Sequence, residues 1–216
     1  MGTAADSGGS AGTGVRGRLE PLREGRLTKA QREMWDELGQ GPRGATAVRP
    51  EGFLTGPFDV LLRSPRIGRA VAGLGALLRY DSELEPRHRE LVILTVAARW
   101  HADFAWLRHD LYGRNAGLPE AAIRDIAAGK AEPGFDKDAD RVVHAFVHQL
   151  VHTGAVDRER YDAALALLGE RPLVELVSLT GYYCLSSMVL NAFEVPLPEG
   201  ASVPWPPRAS DPPAAP

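Results

Sequence analysis

A single cysteine, Cys184, stands in the 216 residues. It can close no internal disulfide, and no paired spacing exists to hold zinc or run dithiol chemistry. A reducing compartment, and so a cytoplasmic protein, is expected. A basic excess is missing too: 25 Lys and Arg against 28 Asp and Glu leave a formal net charge of −3, which gives no electrostatic footprint for nucleic acid. No apolar run opens the chain as the core of a signal peptide would. The start, MGTAADSGGSAGTGVRGR, is rich in Gly, Ser, Ala and Thr, and residues 1–26 read as a disordered tail. The stretch 173–193 is as long as a bilayer crossing. Glu175, Ser178, Thr180, Ser186, Ser187 and Asn191 interrupt it, so a core helix is expected there and no membrane span. No convincing alternating strand and no solenoid-period repeat occurs.

Helical spacing and helix punctuation fill the remainder. Thr28, followed three residues later by Gln31, has the form of a capping box ahead of Met34, Trp35 and Leu38. Residues 40–57, dense in Gly and Pro, read as a loop. Ser64-Pro65 reads as an N-cap with a first-turn proline, after which Ile67, Val71, Leu74 and Leu78 fall at helical spacing. Glu85-Pro86 opens a run without Gly or Pro as far as Gly113. That is long for one globular helix, so a break is expected near His101, with Asp103 capping a second helix. Pro119, Asp136, Asp157 and Pro172 mark further starts, and Gly117, Gly129, Gly154 and Gly169 mark stops. Beyond Val195 come eight prolines in 21 residues, so 197–216 reads as a Pro-rich tail. The expectation is an all-α fold with one domain over 27–196.

The most informative window is 87–118, RHRELVILTVAARWHADFAWLRHDLYGRNAGL. At about 100° per residue, Ala105, His109, Tyr112 and Ala116 share one stripe, and His109 is its only near-neutral titratable member. It is either an acid–base group or a core histidine with satisfied nitrogens. Trp100 and Trp106 either line a pocket or simply fill core.

The runs GPFDVLLRSPRIGRAVAGLGALLR, RHRELVILTVAARW, the His109 segment ending in NAGL, and GYYCLSSMVLNAFEVPLPEG stand in this order over roughly 27–200. In that order and spacing the chain resembles the carboxymuconolactone decarboxylase and alkylhydroperoxidase D-like family. The resemblance implies an alkylhydroperoxidase D-like helical bundle, a homo-oligomer (trimer or hexamer) and a small-molecule substrate. In the family's peroxidase branch a glutamate is followed, after eleven residues, by C-x-x-C and then a histidine four residues on. Glu90 and His109 occupy the Glu and His positions, whereas Ala102 and Ala105 stand where the cysteines belong. Alanine can neither attack a peroxide nor resolve the product, so thiol peroxidase chemistry is not expected here. In the decarboxylase-like branch the position of Ala105 often carries a glutamate within Tyr-Glu-Trp, and here the triplet reads Phe104-Ala105-Trp106.

What the resemblance leaves is Glu90 and His109 as a catalytic acid–base pair, with Ala102, Ala105, Trp106 and Tyr112 lining a substrate pocket and no cofactor or metal. The expected reaction is decarboxylation, isomerisation or rearrangement of a small carbonyl or lactone compound. Two alternatives stand beside it. Glu90 can be a structural ion-pair partner of Arg87, Arg89 or His109, and the chain can be a ligand-binding member of the family without chemistry.

His144, His148 and His152 recur at i, i+4 and i+8, a spacing at which imidazoles can chelate. They fall away from the stripe of Val143, Phe146, Val147 and Leu150, so they are expected to face solvent or a neighbouring subunit and to hold no metal. Cys184 is expected to be inert core packing.

Overall fold

A computed structural model describes residues 17–49 and 51–206. The remaining parts of the two expected tails, 1–16 and 207–216, lie outside the described residues. Among the described residues the chain forms helices α1 (Lys29–Gln40), α2 (Pro57–Leu61), α3 (Pro65–Tyr80), α4 (Pro86–Trp100), α5 (Asp103–Asn115), α6 (Glu120–Ala127), α7 (Asp138–Thr153), α8 (Arg158–Leu168) and α9 (Glu170–Ala192). One isolated antiparallel bridge, Val48 to Leu54, ties the loop before α2, and no strand forms among the described residues.

Helix α4 is the centre. Its residues are buried almost all round, from Arg87 and His88 through Glu90 to Ala98, as a helix with apolar side chains on every face must be. Helices α5, α7 and α9 pack against it. A smaller core of Met34, Trp35, Leu38, Leu54, Phe58 and Leu62 lies under α1, α2 and α3. The capping box at the start of α1 is formed: Gln31 N–H donates to the Thr28 hydroxyl oxygen, and the Gln31 side chain accepts from Thr28 N–H at 2.9 Å.

The expected break sits at His101, whose φ of 46° and ψ of 48° place it in the left-handed region, an uncommon conformation for a side-chain-bearing residue. There the chain reverses and α5 returns along α4. Gly113 makes that close approach possible, because a Cβ at this position would come within 2.9 Å of Leu94 Cδ1.

Two expectations about helix ends need correction. Asp103 does not cap α5; it is the first helical residue, with Ala102 at the N-cap and no side-chain cap bond. Its carboxylate instead accepts from Trp205 Nε1 at 2.6 Å. Asp136 does not start α7, which begins at Asp138 after Lys137; Asp136 is drawn aside into an ion pair with Arg87. Ser64 does stand at the N-cap of α3 with Pro65 in the first turn, as expected, although its side chain makes no cap bond. The first part of the Pro-rich segment is also packed: Trp205 is buried, stacks on His101 at 4.9 Å and meets Trp106 edge-on at 5.1 Å.

The histidine row of α7 differs from expectation as well. His144 is only 2% exposed, packed between Phe135 and His148, while His152 is exposed. The buried arc of α7 is wider than its aliphatic stripe because the segment carrying Phe135 covers it. Among the described residues no group of three or more His, Cys, Asp or Glu side chains is arranged to hold a metal ion.

Burial, then repulsion from His148, push the His144 pKa down to about 4 from 6.5. A histidine held neutral in the fold costs nothing above pH 6.5. As pH falls from 6.5 towards 4 the unfolded chain takes up a proton that the folded chain refuses, and stability is lost, about 3 kcal/mol over that window for this group. His88, His109 and His148 are shifted the same way, first by burial. Calorimetric melting at pH 7 and pH 4.5 is therefore expected to show a large fall, reduced in His144→Gln. An equal fall in that variant would contradict the assignment.

Candidate active site

Glu90 lies in the second turn of α4 and His109 in the middle of α5, and the reversal at His101 brings them face to face. His109 Nδ1 lies 2.5 Å from Glu90 Oε2, and the two residues are 4% and 5% exposed. A carboxylate only accepts, so Nδ1 carries the proton and Nε2 presents its lone pair. That lone pair accepts from the Tyr183 hydroxyl at 3.1 Å. Tyr183 comes from α9, with its ring edge-on to the imidazole at 5.1 Å between centroids. The side chains form one continuous relay from three helices: Tyr183 to His109 to Glu90.

Burial sets the protonation states. Desolvation lowers the His109 pKa against the opposing hydrogen bond and charge of Glu90, so the imidazole is neutral at pH 7. Desolvation raises the pKa of Tyr183, so the hydroxyl keeps its proton. Behind the relay, Arg79 of α3 places Nη2 3.7 Å from Glu90 Oε1. Arg87 and Arg89, the other cations considered for Glu90, are not its partners; Arg87 instead grips Asp140, with Nη2 at 2.6 Å and Nε at 2.9 Å from Oδ2.

A cavity of about 90 Å³ opens onto the relay. His109 and Tyr183 line it, with Ala105, Tyr112, Phe58, Phe104, Tyr182 and three arginines, Arg43, Arg79 and Arg108. Glu90 does not reach the wall; it stands behind His109. Of the four residues expected around the substrate, Ala105 and Tyr112 line the cavity, and Tyr112 meets His109 edge-on at 5.6 Å. Ala102 and Trp106 do not. Ala102 is fully buried at the α5 N-cap, and Trp106 points from the other side of α5 into the packing with Trp205. Ala105 and Trp106 are adjacent on a helix, so about 100° separates them and only one can face the cavity.

The sequence reading missed Tyr183 and the arginines. The one local signal for Tyr183 was the Tyr182-Tyr183 pair inside an apolar helix, since a buried tyrosine hydroxyl must find a partner. Gly75 lets Tyr182 lie against α3, because a Cβ there would sit 2.1 Å from the Tyr182 hydroxyl. Cys184 is half-buried rather than fully buried, lines none of the described cavities, and has its thiol pKa raised by burial. No thiolate nucleophile is poised there.

No family model matches this chain, and no curated protein matches it. Solved structures do. An alkylhydroperoxidase AhpD core protein from Ralstonia eutropha JMP134, described as an uncharacterized peroxidase-related protein, superposes with a TM-score of 0.67 at 14% identity, over 85% of this chain and 93% of that one. An uncharacterized peroxidase-related protein from Silicibacter sp. TM1040 gives 0.64 at 12% identity, over 87% and 94%. A debrominase, solved as a cysteine-to-alanine variant with 2,3,4-tribromopyrrole, gives 0.59 at 14% identity, over 83% and 90%. By its helix order and these superpositions, the chain has the alkylhydroperoxidase D-like fold.

Proposed function

We propose that this chain is a cofactor-free enzyme that moves protons on a small carbonyl or lactone compound, in a decarboxylation, isomerisation or rearrangement. The observation that carries this reading is the Tyr183–His109–Glu90 relay ending at a cavity wall. In the resting relay Tyr183 donates to His109 Nε2. A substrate proton made acidic by an adjacent carbonyl passes to the Tyr183 oxygen as the tyrosine proton passes to Nε2. Glu90, already bonded to Nδ1, stabilises the imidazolium that forms. Tyr183 and His109 are the catalytic residues in this scheme, and Glu90 is the positioning residue. With Ala102 and Ala105 in place of cysteines, peroxide reduction by a thiol pair has no chemical basis at this site.

The test is hydrogen exchange. A panel of small enones, β-keto compounds and lactones incubated with the chain in D₂O is expected to show stereospecific deuterium uptake at one carbon by NMR, with an acid limb below the ordinary histidine range. Absence of uptake across the panel, with ligands still bound, would favour a ligand-binding protein instead; the missing thiols and the missing carboxylate at Ala105 support that second reading.

We further propose a homo-oligomer, trimer or hexamer. Ile67, Leu74 and Leu77 of α3 and Val174, Val177 and Met188 of α9 are exposed on two helices that pack side by side. That much apolar surface on neighbouring helices marks an interaction face. Light scattering at micromolar concentration is expected to give a multiple of 23.3 kDa, and a strict monomer would reject it.

A further inference from the structure

The cavity has a charge imbalance that the acid–base reading does not use. Three guanidinium groups line it, from the loop after α1, the end of α3 and the middle of α5. One carboxylate, Glu90, is near Arg79, and it is committed to His109. Arg79 Nε is buried with no hydrogen-bond partner, although its guanidinium lies 5.3 Å from the Tyr112 ring centre and 5.6 Å from that of Tyr80. Arg108 has no carboxylate partner among the described residues. Arg43 donates to Ala72 O at 3.2 Å and sits 4.8 Å over the Phe58 ring. A buried donor without a partner is costly, and three cations converging where Glu90 is the one carboxylate, itself bonded to His109, call for an anion. This holds even though the whole chain is net negative at −3. Phe58, Phe104 and Tyr112 give the walls flat faces, and the volume of about 90 Å³ corresponds to roughly six to nine water-sized atoms.

We infer that the substrate is a small planar carbonyl compound carrying a carboxylate that Arg79 and Arg108 hold as a handle and that stays on the molecule throughout. The inference rests on the acid–base reading above and narrows it. Guanidinium pairing stabilises charge localised on a carboxylate. Loss of CO₂ must move that charge into the carbon skeleton, so holding the reacting carboxylate this way favours the ground state over the transition state. The chemistry left at Tyr183 is a proton shift. The C–H proton goes to the Tyr183 oxygen and the tyrosine proton to His109 Nε2. The C–H electron pair runs onto the carbonyl oxygen as an enolate. In a substrate whose carbonyl is conjugated with a carbon–carbon double bond the anion is a dienolate, and return of the proton from Tyr183 at the far end of that conjugated system, with Tyr183 reprotonated by His109, shifts the double bond and regenerates the relay. Substrate and product are isomers, and nothing is oxidised or reduced.

Benzoate is the probe, compared with benzyl alcohol and benzamidine, by titration calorimetry on the full chain. Benzoate is expected to bind at least tenfold more tightly than either the neutral or the cationic analogue. Arg108→Met, at a half-exposed position that threatens folding least, and Arg79→Met are each expected to weaken it about tenfold or more. Glu90→Gln removes the nearest negative charge, so it is expected to tighten benzoate while abolishing deuterium uptake; that pairing separates the anion site from the catalytic reading. Benzyl alcohol or benzamidine binding as well as benzoate, or benzoate binding that ignores Arg108→Met in a folded chain, would overturn the inference. Deuterium uptake lost by every variant with benzoate binding unchanged would also overturn it.

Discussion

Arg87→Met is expected to lower the unfolding free energy by about 3–5 kcal/mol, read from urea titration at pH 7. Arg87 reaches from the first turn of α4 to Asp140 of α7, whose carboxylate is 0% exposed. It also donates to Gly117 O after α5 and pairs with Asp136 before α7. One guanidinium thus joins α4, the end of α5 and the start of α7. Removing it leaves Asp140 buried beside His88, whose Nε2 stands 3.6 Å away and whose pKa burial lowers, so His88 supplies no replacement charge at neutral pH. Removing both partners together abolishes the orphaned charge, so Arg87→Met with Asp140→Leu is expected to recover most of the loss. A single-variant cost under about 1 kcal/mol would show that water reaches Asp140 and that the pair is only a surface contact.

The relay variants carry the largest expected effect on activity. Tyr183→Phe removes the hydroxyl bonded to His109 Nε2 and is expected to cut proton transfer by about 10²–10⁴-fold. Its stability cost should stay near 1–3 kcal/mol, because one buried acceptor loses its donor. Glu90→Gln keeps an oxygen that can accept from Nδ1 and so retains the ring orientation, but it removes the charge that stabilises an imidazolium. A similar loss of rate is expected there, with an anionic substrate held more tightly because the negative charge beside Arg79 is gone. His109→Ala is less informative, since it leaves Glu90 buried with only Arg79 at 3.7 Å and confounds rate with folding. Measuring deuterium exchange alongside the melting midpoint separates the two. Exchange at the wild-type rate in folded Tyr183→Phe and Glu90→Gln would remove the relay from the mechanism.

Much of this frame can be read along the chain. Helix α4 is recognisable because Leu91 through Ala98 carry one polar residue, Thr95, and no polar face, and the break at His101 follows from a run too long for one helix. Glu90 and His109 meet because a short reversal between two helices brings nearby sequence together. Tyr183 lies 74 residues from His109, and no local rule reports a contact across that distance. The arginines are hidden for a second reason: arginine is ordinarily a surface residue, and only tertiary packing distinguishes Arg79, beside buried Glu90, from Arg141, which pairs with fully exposed Asp138. Asp103 and Asp136 mimic caps in the sequence because a carboxylate near a helix start satisfies the capping pattern equally well when a distant donor, Trp205 Nε1 or Arg87, takes it.

The clasp of Trp205 on the α4–α5 turn orders events during synthesis. Asp103 waits 102 positions for its indole partner, so both helices that carry Glu90 and His109 leave the ribosome long before the residue that braces the bend between them. Contacts of such sequence separation form late because the chain must first close the intervening loop. A chain cut just short of residue 205 is therefore expected to hold its helices but keep the bend at His101 loose, with the imidazole and carboxylate of the relay drifting in and out of register for want of that brace.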